Sequence, residues 1–270
     1  CDKAIRAAWP RLFDSAATDV GRQQLNSVFR LCPNSQLKTA QDGVGLAYWL
    51  QSAFDYQTMG SYPYPSSYIL NGQGTLPAYP MRQACQLMVK QADPMAGLRD
   101  AAGVFYNASH HVQCFDTAGS ANNETLRDAL FWDYLYCTGL VQPMTRNGVT
   151  DMFWKQPFMT DDVTRSCQQQ WSVNPRFNWP SVEYSGWGIA DSVSNIVFSN
   201  GQLDPWKKGG VTTNLSSSLI ALVIEDVGHH MDLMFSDPRD PAAVKDARAT
   251  EMAFVEKWIA EHNAIASQKI

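Results

Sequence analysis

Two short apolar runs constrain this chain more than any other feature: Ile-Val-Phe at 196–198 and Leu-Ile-Ala-Leu-Val-Ile at 219–224, each followed by a loop. Runs this brief, rich in β-branched residues and bounded by "SNG" and "EDVG", suit buried strands better than helices, which need roughly ten or more residues. From 241 to 262 the period changes, with Val244, Ala247, Phe254, Val255, Trp258 and Ile259 forming one apolar stripe of a helix. Asp240 is its expected cap and Pro241 suits its first turn. Strand, loop, strand, loop, helix predicts an α/β unit in which functional residues sit on the loops at the strand ends.

Those loops carry an acid and two histidines. "SNGQLDPWKKGG" holds an Asn-Gly turn that presents Asp204, and "GHHMDL" presents His229 and His230. A histidine base held by a carboxylate is two thirds of an acyl-transfer triad, and acid before histidine is the chain order of α/β hydrolases. The competing reading is that Asp204 simply begins an Asp-Pro turn and that His229 is an ordinary loop histidine. Adjacent side chains of an extended segment point apart, so His229 and His230 are not expected to share a metal, and no cofactor is implied.

Upstream the chain reads as mainly helical. "AIRAAWPRLF" and "GVGLAYWLQSAFDY" show helical spacing, although Pro10 should kink the first or restart it near Trp9. "MRQACQLMVKQ", "MAGLRDAAGVFYNAS" and "LRDALFWDYLYCTG" give three more helices. "SYPYPSSYILNGQGTLPAYP" predicts a long ordered loop whose tyrosines suit a binding rim. The stretch 158–192, with Trp171, Trp179 and Trp187, reads as a connector that packs aromatics.

Six cysteines, none in a C-x-x-C pair, all lie before residue 170, and three N-x-[ST] sequons begin at Asn107, Asn123 and Asn214. An even cysteine set beside three glycosylation signals points to disulfides and to the secretory pathway, lysosomal or secreted. Spacing alone leaves fifteen pairings open. A net charge of −5 supplies no basic stripe for a nucleic-acid backbone, and no apolar stretch approaches membrane-spanning length. The sequence is compatible with a homodimer and does not decide it.

"SNGQLDPW", "LIALVI…GHHMDL" and "DP..V..AR", with "YPYP", "LPAYP", "YNAS", "NGVTDMF" and "CQQQWSVNPR", resemble the prolylcarboxypeptidase and dipeptidyl peptidase II family of serine peptidases across nearly the whole chain. The resemblance implies the C-terminal part of an α/β-hydrolase fold at 191–270, carrying a mostly helical, disulfide-linked cap at 1–190. It makes Asp204 the triad acid, His229 the base and His230 a neighbour, and it implies the pairs Cys1–Cys85, Cys32–Cys114 and Cys137–Cys167. Trp206 matches a position that walls a proline pocket. The family's nucleophile sits in a glycine-rich elbow, and with no G-x-S-x-G here the chain reads as beginning after it, so that alone it would be inactive. An upstream segment of the same precursor is then the expected partner.

The expected substrate is a peptide with proline near one terminus. "WDY" before Cys137 is more similar to dipeptidyl peptidase II, with Asp133 as the carboxylate for a substrate ammonium, so release of Xaa-Pro or Xaa-Ala dipeptides is the first expectation. A Pro-Xaa carboxypeptidase is the second, and a non-catalytic peptide-binding glycoprotein is the rival from another class. Lys207, Lys208 and Gly139 depart from the family's usual residues at their positions and bear on fine preference.

Overall fold

The computed structural model describes the backbone of residues 1–117, 123–184 and 186–267, and the side chains of these apart from 123–129 and 186–187. The Asn123 side chain, Leu126, Ser185 and Trp187 therefore lie outside the described side chains. The chain forms two compact units, one of residues 1–47 and 114–192, the other of residues 48–113 and 193–270. These contact units cut the chain differently from a cap at 1–190 and a body at 191–270, because 48–113 packs with the C-terminal strands.

In the first unit, helix α1 (Asp2–Ala16) buries Ile5, Ala8, Trp9, Leu12 and Ala16 and packs on α2 (Asp19–Val28). The expected restart near Trp9 does not occur. One helix runs through Pro10, held by its buried stripe and by Trp9 Nε1 donating to the Met152 carbonyl at 2.8 Å. Helix α6 (Asn123–Thr138) lies against α7 (Thr160–Trp171), and the Cys137–Cys167 disulfide joins them. Helix α7 falls where the sequence predicted a connector. Its polar run "TDDVTRSCQQQW" carries a helical pattern too weak in apolar residues to register, and Cys167 is its one buried residue. Cys32 pairs with Cys114, and Cys1 and Cys85 are disulfide-bonded as well.

Helix α3 (Ala40–Met59) follows, burying Leu46, Leu50 and Phe54. The second unit holds α4 (Pro80–Lys90) packed on α5 (Pro94–Tyr106), after an irregular segment at 60–79 fastened by paired bonds between Ser66 and Leu76. Its strands β1 (Ile196–Gly201) and β2 (Leu219–Ile224) run parallel, with Ile196 opposite Leu219 and Gly201 opposite Ile224. Asn200 and Gly201 thus end β1, and the turn that follows is the short helix Pro205–Gly209.

Helix α9 (Ala242–Ser267) closes the unit, with α8 (Trp179–Glu183) lying earlier in the first. The stripe expected on α9 is only half buried: Val244 and Ala247 join Tyr62, Ile224, Val227 and Met231 in the core, whereas Val255 and Ile259 are 41% and 56% exposed. The second half of α9 extends past the core that holds the first. Asp240 does not act as a simple cap. Its Oδ1 accepts from the Tyr64 hydroxyl, and its Oδ2 accepts from Asp237 N and from Arg248. Among the described residues, no helix is long and apolar enough to cross a membrane.

Candidate active site

Parallel pairing of β1 and β2 brings their two exit loops side by side, and backbone bonds sew them together. Gln202 N donates to the Ile224 carbonyl at 2.8 Å, and Leu203 N to the Val227 carbonyl at 2.9 Å. The loops approach so closely that a Cβ on Gly201 would lie 2.0 Å from the Gly228 carbonyl oxygen. A Cβ on Gly228 would lie 2.2 Å from the Met59 carbonyl oxygen. Both positions require glycine for space rather than for backbone conformation.

Asp204 is 8% exposed and sits just after β1. Its Oδ1 accepts from Trp206 N at 3.0 Å, which fixes the carboxylate at the head of the Pro205–Gly209 turn. Its Oδ2 lies 2.7 Å from His229 Nδ1. The turn-forming role and the histidine contact therefore coexist, one on each oxygen. A carboxylate on Nδ1 favours the tautomer with its proton there, which leaves Nε2 as the basic nitrogen.

His229 is held from two further directions. Its backbone N–H donates to the Met59 carbonyl at 2.9 Å, and its own carbonyl accepts from the Tyr62 hydroxyl at 3.0 Å. Tyr62 is 1% exposed, and burial pushes its phenol well above the ordinary range, so it stays a neutral donor. Tyr62 entered the sequence reading through the "YPYP" resemblance and as one of the tyrosines expected at a binding rim, but it is buried rather than at a rim. Its partner, 167 residues away, could not be read from spacing.

His230 departs from expectation. Its left-handed backbone (φ 32°) turns the segment sharply, so the rings of His229 and His230 lie 3.7 Å apart rather than diverging. Burial, then the neighbouring His229, holds the His230 imidazole below the usual histidine range, and Tyr68 meets it edge-on. Among the described residues, no group of three His, Cys, Asp or Glu side chains is placed to hold a metal.

Trp206 places its ring 6.4 Å from that of His229, so three of the four singled-out site residues come together. Asp133 belongs to the first unit, where its carboxylate accepts from Trp171 Nε1 at 3.1 Å. Lys207 donates to the Gln202 carbonyl, and Lys208 is exposed. Asn107 and Asn214 use their Oδ1 atoms locally, on Val112 N and Ala221 N.

One residue that sequence reasoning passed over stands behind the histidine loop. Arg248 on α9 donates from Nη2 to the Met231 and Met234 carbonyls, at 2.9 and 3.0 Å, and from Nε to the Asp232 carbonyl at 2.7 Å. It was within reach as the arginine of "DP..V..AR", but nothing in that spacing revealed what it grips.

A carboxylate-held histidine on neighbouring exit loops of a parallel sheet is an arrangement that serine-type hydrolases use for acid–base chemistry. Comparison with known proteins gives the family. The model of the serine carboxypeptidase S28 family matches residues 1–251, and the chain belongs to that family. It is 35% identical over 263 residues to the lysosomal Pro-X carboxypeptidase of Homo sapiens, covering 96% of this chain and 51% of that protein. The prolyl carboxy peptidase like protein 5 of Caenorhabditis elegans is 32% identical over 281 residues, covering 96% of this chain and 54% of that one. The thymus-specific serine protease of Mus musculus is 24% identical over 200 residues, covering 66% of this chain and 38% of that protein. The chain spans about half the length of the Pro-X carboxypeptidases it matches.

Proposed function

We propose that this chain carries the acid–base part of a serine exopeptidase that cleaves beside proline. His229 Nε2 takes the proton of a serine nucleophile and returns it to the leaving amine. Asp204 holds the imidazole in the required tautomer and stabilises its cation. The serine and its oxyanion hole are supplied by an upstream segment of the same precursor. The observation that carries this reading is the 2.7 Å contact of His229 Nδ1 with a buried carboxylate whose second oxygen is already fixed by Trp206 N. Trp206 offers a flat apolar wall to a pyrrolidine ring.

The names of the relatives favour release of a C-terminal residue that follows proline. Release of N-terminal Xaa-Pro dipeptides is the second reading, and it rests on Asp133 as the carboxylate for a free ammonium. We assign the helical, disulfide-linked cap to 1–190 and the hydrolase body to 191–270, with glycans at Asn107, Asn123 and Asn214 and a lysosomal or secreted location.

The test is a fluorophosphonate label on the full-length precursor, followed by matched peptides with a free amine or a free carboxylate beside proline. Labelling of an upstream serine, lost in His229→Ala, supports the site, and the preferred peptide decides the direction. Folded full-length protein that takes no label would refute the peptidase reading and leave a peptide-binding glycoprotein.

A further inference from the structure

Behind the histidine loop lie two acids for which the proposed reaction has no use. Asp232 follows His229 by three residues and is 4% exposed, with both carboxylate oxygens buried. Glu251 projects from α9 with its Oε1 buried. Among the described residues, no donor reaches any of these three oxygens. Buried carboxylates without donors are expensive, and two that face each other are worse, since ionised carboxyls only accept and repel. A single proton on the pair eases both faults: it cancels one charge and supplies an O–H for one of the donorless oxygens.

The pair sits where it bears on the site. Asp232 belongs to the turn Met231–Leu233, whose Met231 and Asp232 carbonyls, with that of Met234, are gripped by Arg248 one turn before Glu251 on α9. Arg248 is in turn held by Asp240, which also accepts from the Tyr64 hydroxyl. The histidine loop is thus bound to α9 through Arg248 and pressed against it through the two acids.

We propose that Asp232 and Glu251 share one proton and, with Arg248, are positioning residues for His229, so that losing the proton loosens the loop carrying the base. The proposal rests on the peptidase reading for its effect on activity, but not for its effect on stability. Facing the pair are Arg248 from α9 and His230 from the histidine loop; Asp240, Tyr64, Asp237, Arg239 and Lys245 form the shell behind Arg248. Burial, then the Asp232 charge, pushes Glu251 up to about 7, against a smaller opposing pull from Arg248. A carboxyl raised in the folded state contributes stability that is complete below its ordinary range and lost as pH rises through about 7. The site is therefore tightest in acid.

The test uses the full-length protein. In Glu251→Gln the amide is a permanent donor to Asp232 that does not titrate. Wild-type Tm should fall by roughly 5 °C between about pH 5.5 and about pH 8.5, with Glu251→Gln losing less than about a third of that. In active protein, the alkaline fall of kcat should move to higher pH in the variant, with KM little changed. Equal Tm dependence in the two proteins overturns the shared proton, whatever the activity. An infrared band of a protonated carboxyl should be present in wild type at about pH 5.5 and fade through neutrality. Its absence overturns the proposal even if the variant does not fold. A flat Tm profile with an unmoved kcat profile overturns the link to His229 alone, and absence of all activity in folded protein condemns the peptidase reading instead.

Discussion

Gly228→Ala tests whether the close approach of the histidine loop to the end of α3 is as tight as described. The added Cβ would lie 2.2 Å from the Met59 carbonyl oxygen and 2.9 Å from Ser61 N, both backbone atoms that cannot rotate away. Restoring an ordinary contact of 3.4 Å asks the two segments to part by about 1.2 Å. That opening breaks the 2.9 Å bond from His229 N to the Met59 carbonyl. Overpacking of this kind costs about 1–3 kcal/mol, and the lost hydrogen bond adds about 1 kcal/mol. A net loss near 3 kcal/mol should lower Tm by roughly 6–12 °C for a chain of this size. Thermal unfolding followed by circular dichroism measures it, with Gly45→Ala as the control. Gly45 lies inside α3 with nothing within 4 Å of its added Cβ, so that change should be neutral or stabilise by up to about 1 kcal/mol. If Gly228→Ala melts within about 1 °C of wild type, the loop is not packed against Met59 as argued.

Tyr62→Phe removes the hydroxyl that donates to the His229 carbonyl, and should cost about 1–2 kcal/mol in denaturant unfolding while lowering kcat more than it raises KM in active full-length protein. Asp204→Asn presents an amide to His229 Nδ1 and favours the wrong tautomer, so kcat should drop by about 10⁴-fold with the fold intact. Asp240 gives an acid-side test: burial raises its carboxyl, but bonds from Asp237 N, Tyr64 and Arg248 together outweigh burial and hold it below the ordinary range. Its contribution is present above the unfolded value near about 3.9 and is lost as pH falls below that, so Asp240→Asn should narrow the stability gap between about pH 5 and about pH 2.

The strand-end loops were legible because their signals are local. Each apolar run and the loop residue it delivers, Asp204 after β1 and His229 after β2, lie within a few residues of each other. The rings of His229 and His230 were read wrongly for the same reason. Alternation holds only while the backbone is extended, and the left-handed turn at His230 ends it. Helix α7 escaped notice because periodicity detects burial, and a helix that buries one cysteine leaves almost none to detect. On α9 the error ran the other way: an apolar stripe states what a helix is able to bury, and here only its first turns meet a core.

What stayed hidden is the support around His229. His229 is fixed by the Met59 carbonyl, the Tyr62 hydroxyl and, one turn on, by Arg248, and the first two partners lie about 170 residues away in the chain. None of these contacts uses a side-chain atom of the histidine loop as its acceptor; each is made to a backbone group that every sequence possesses. Motif reading finds the residues whose side chains do chemistry, because chemistry demands particular functional groups. It is blind to which peptide carbonyl an arginine or a tyrosine will meet. Aligning a side chain to within a fraction of an ångström depends on those meetings, which is why Asp204 and His229 stand out in the sequence as candidates while the groups that hold His229 in place emerge only with the fold.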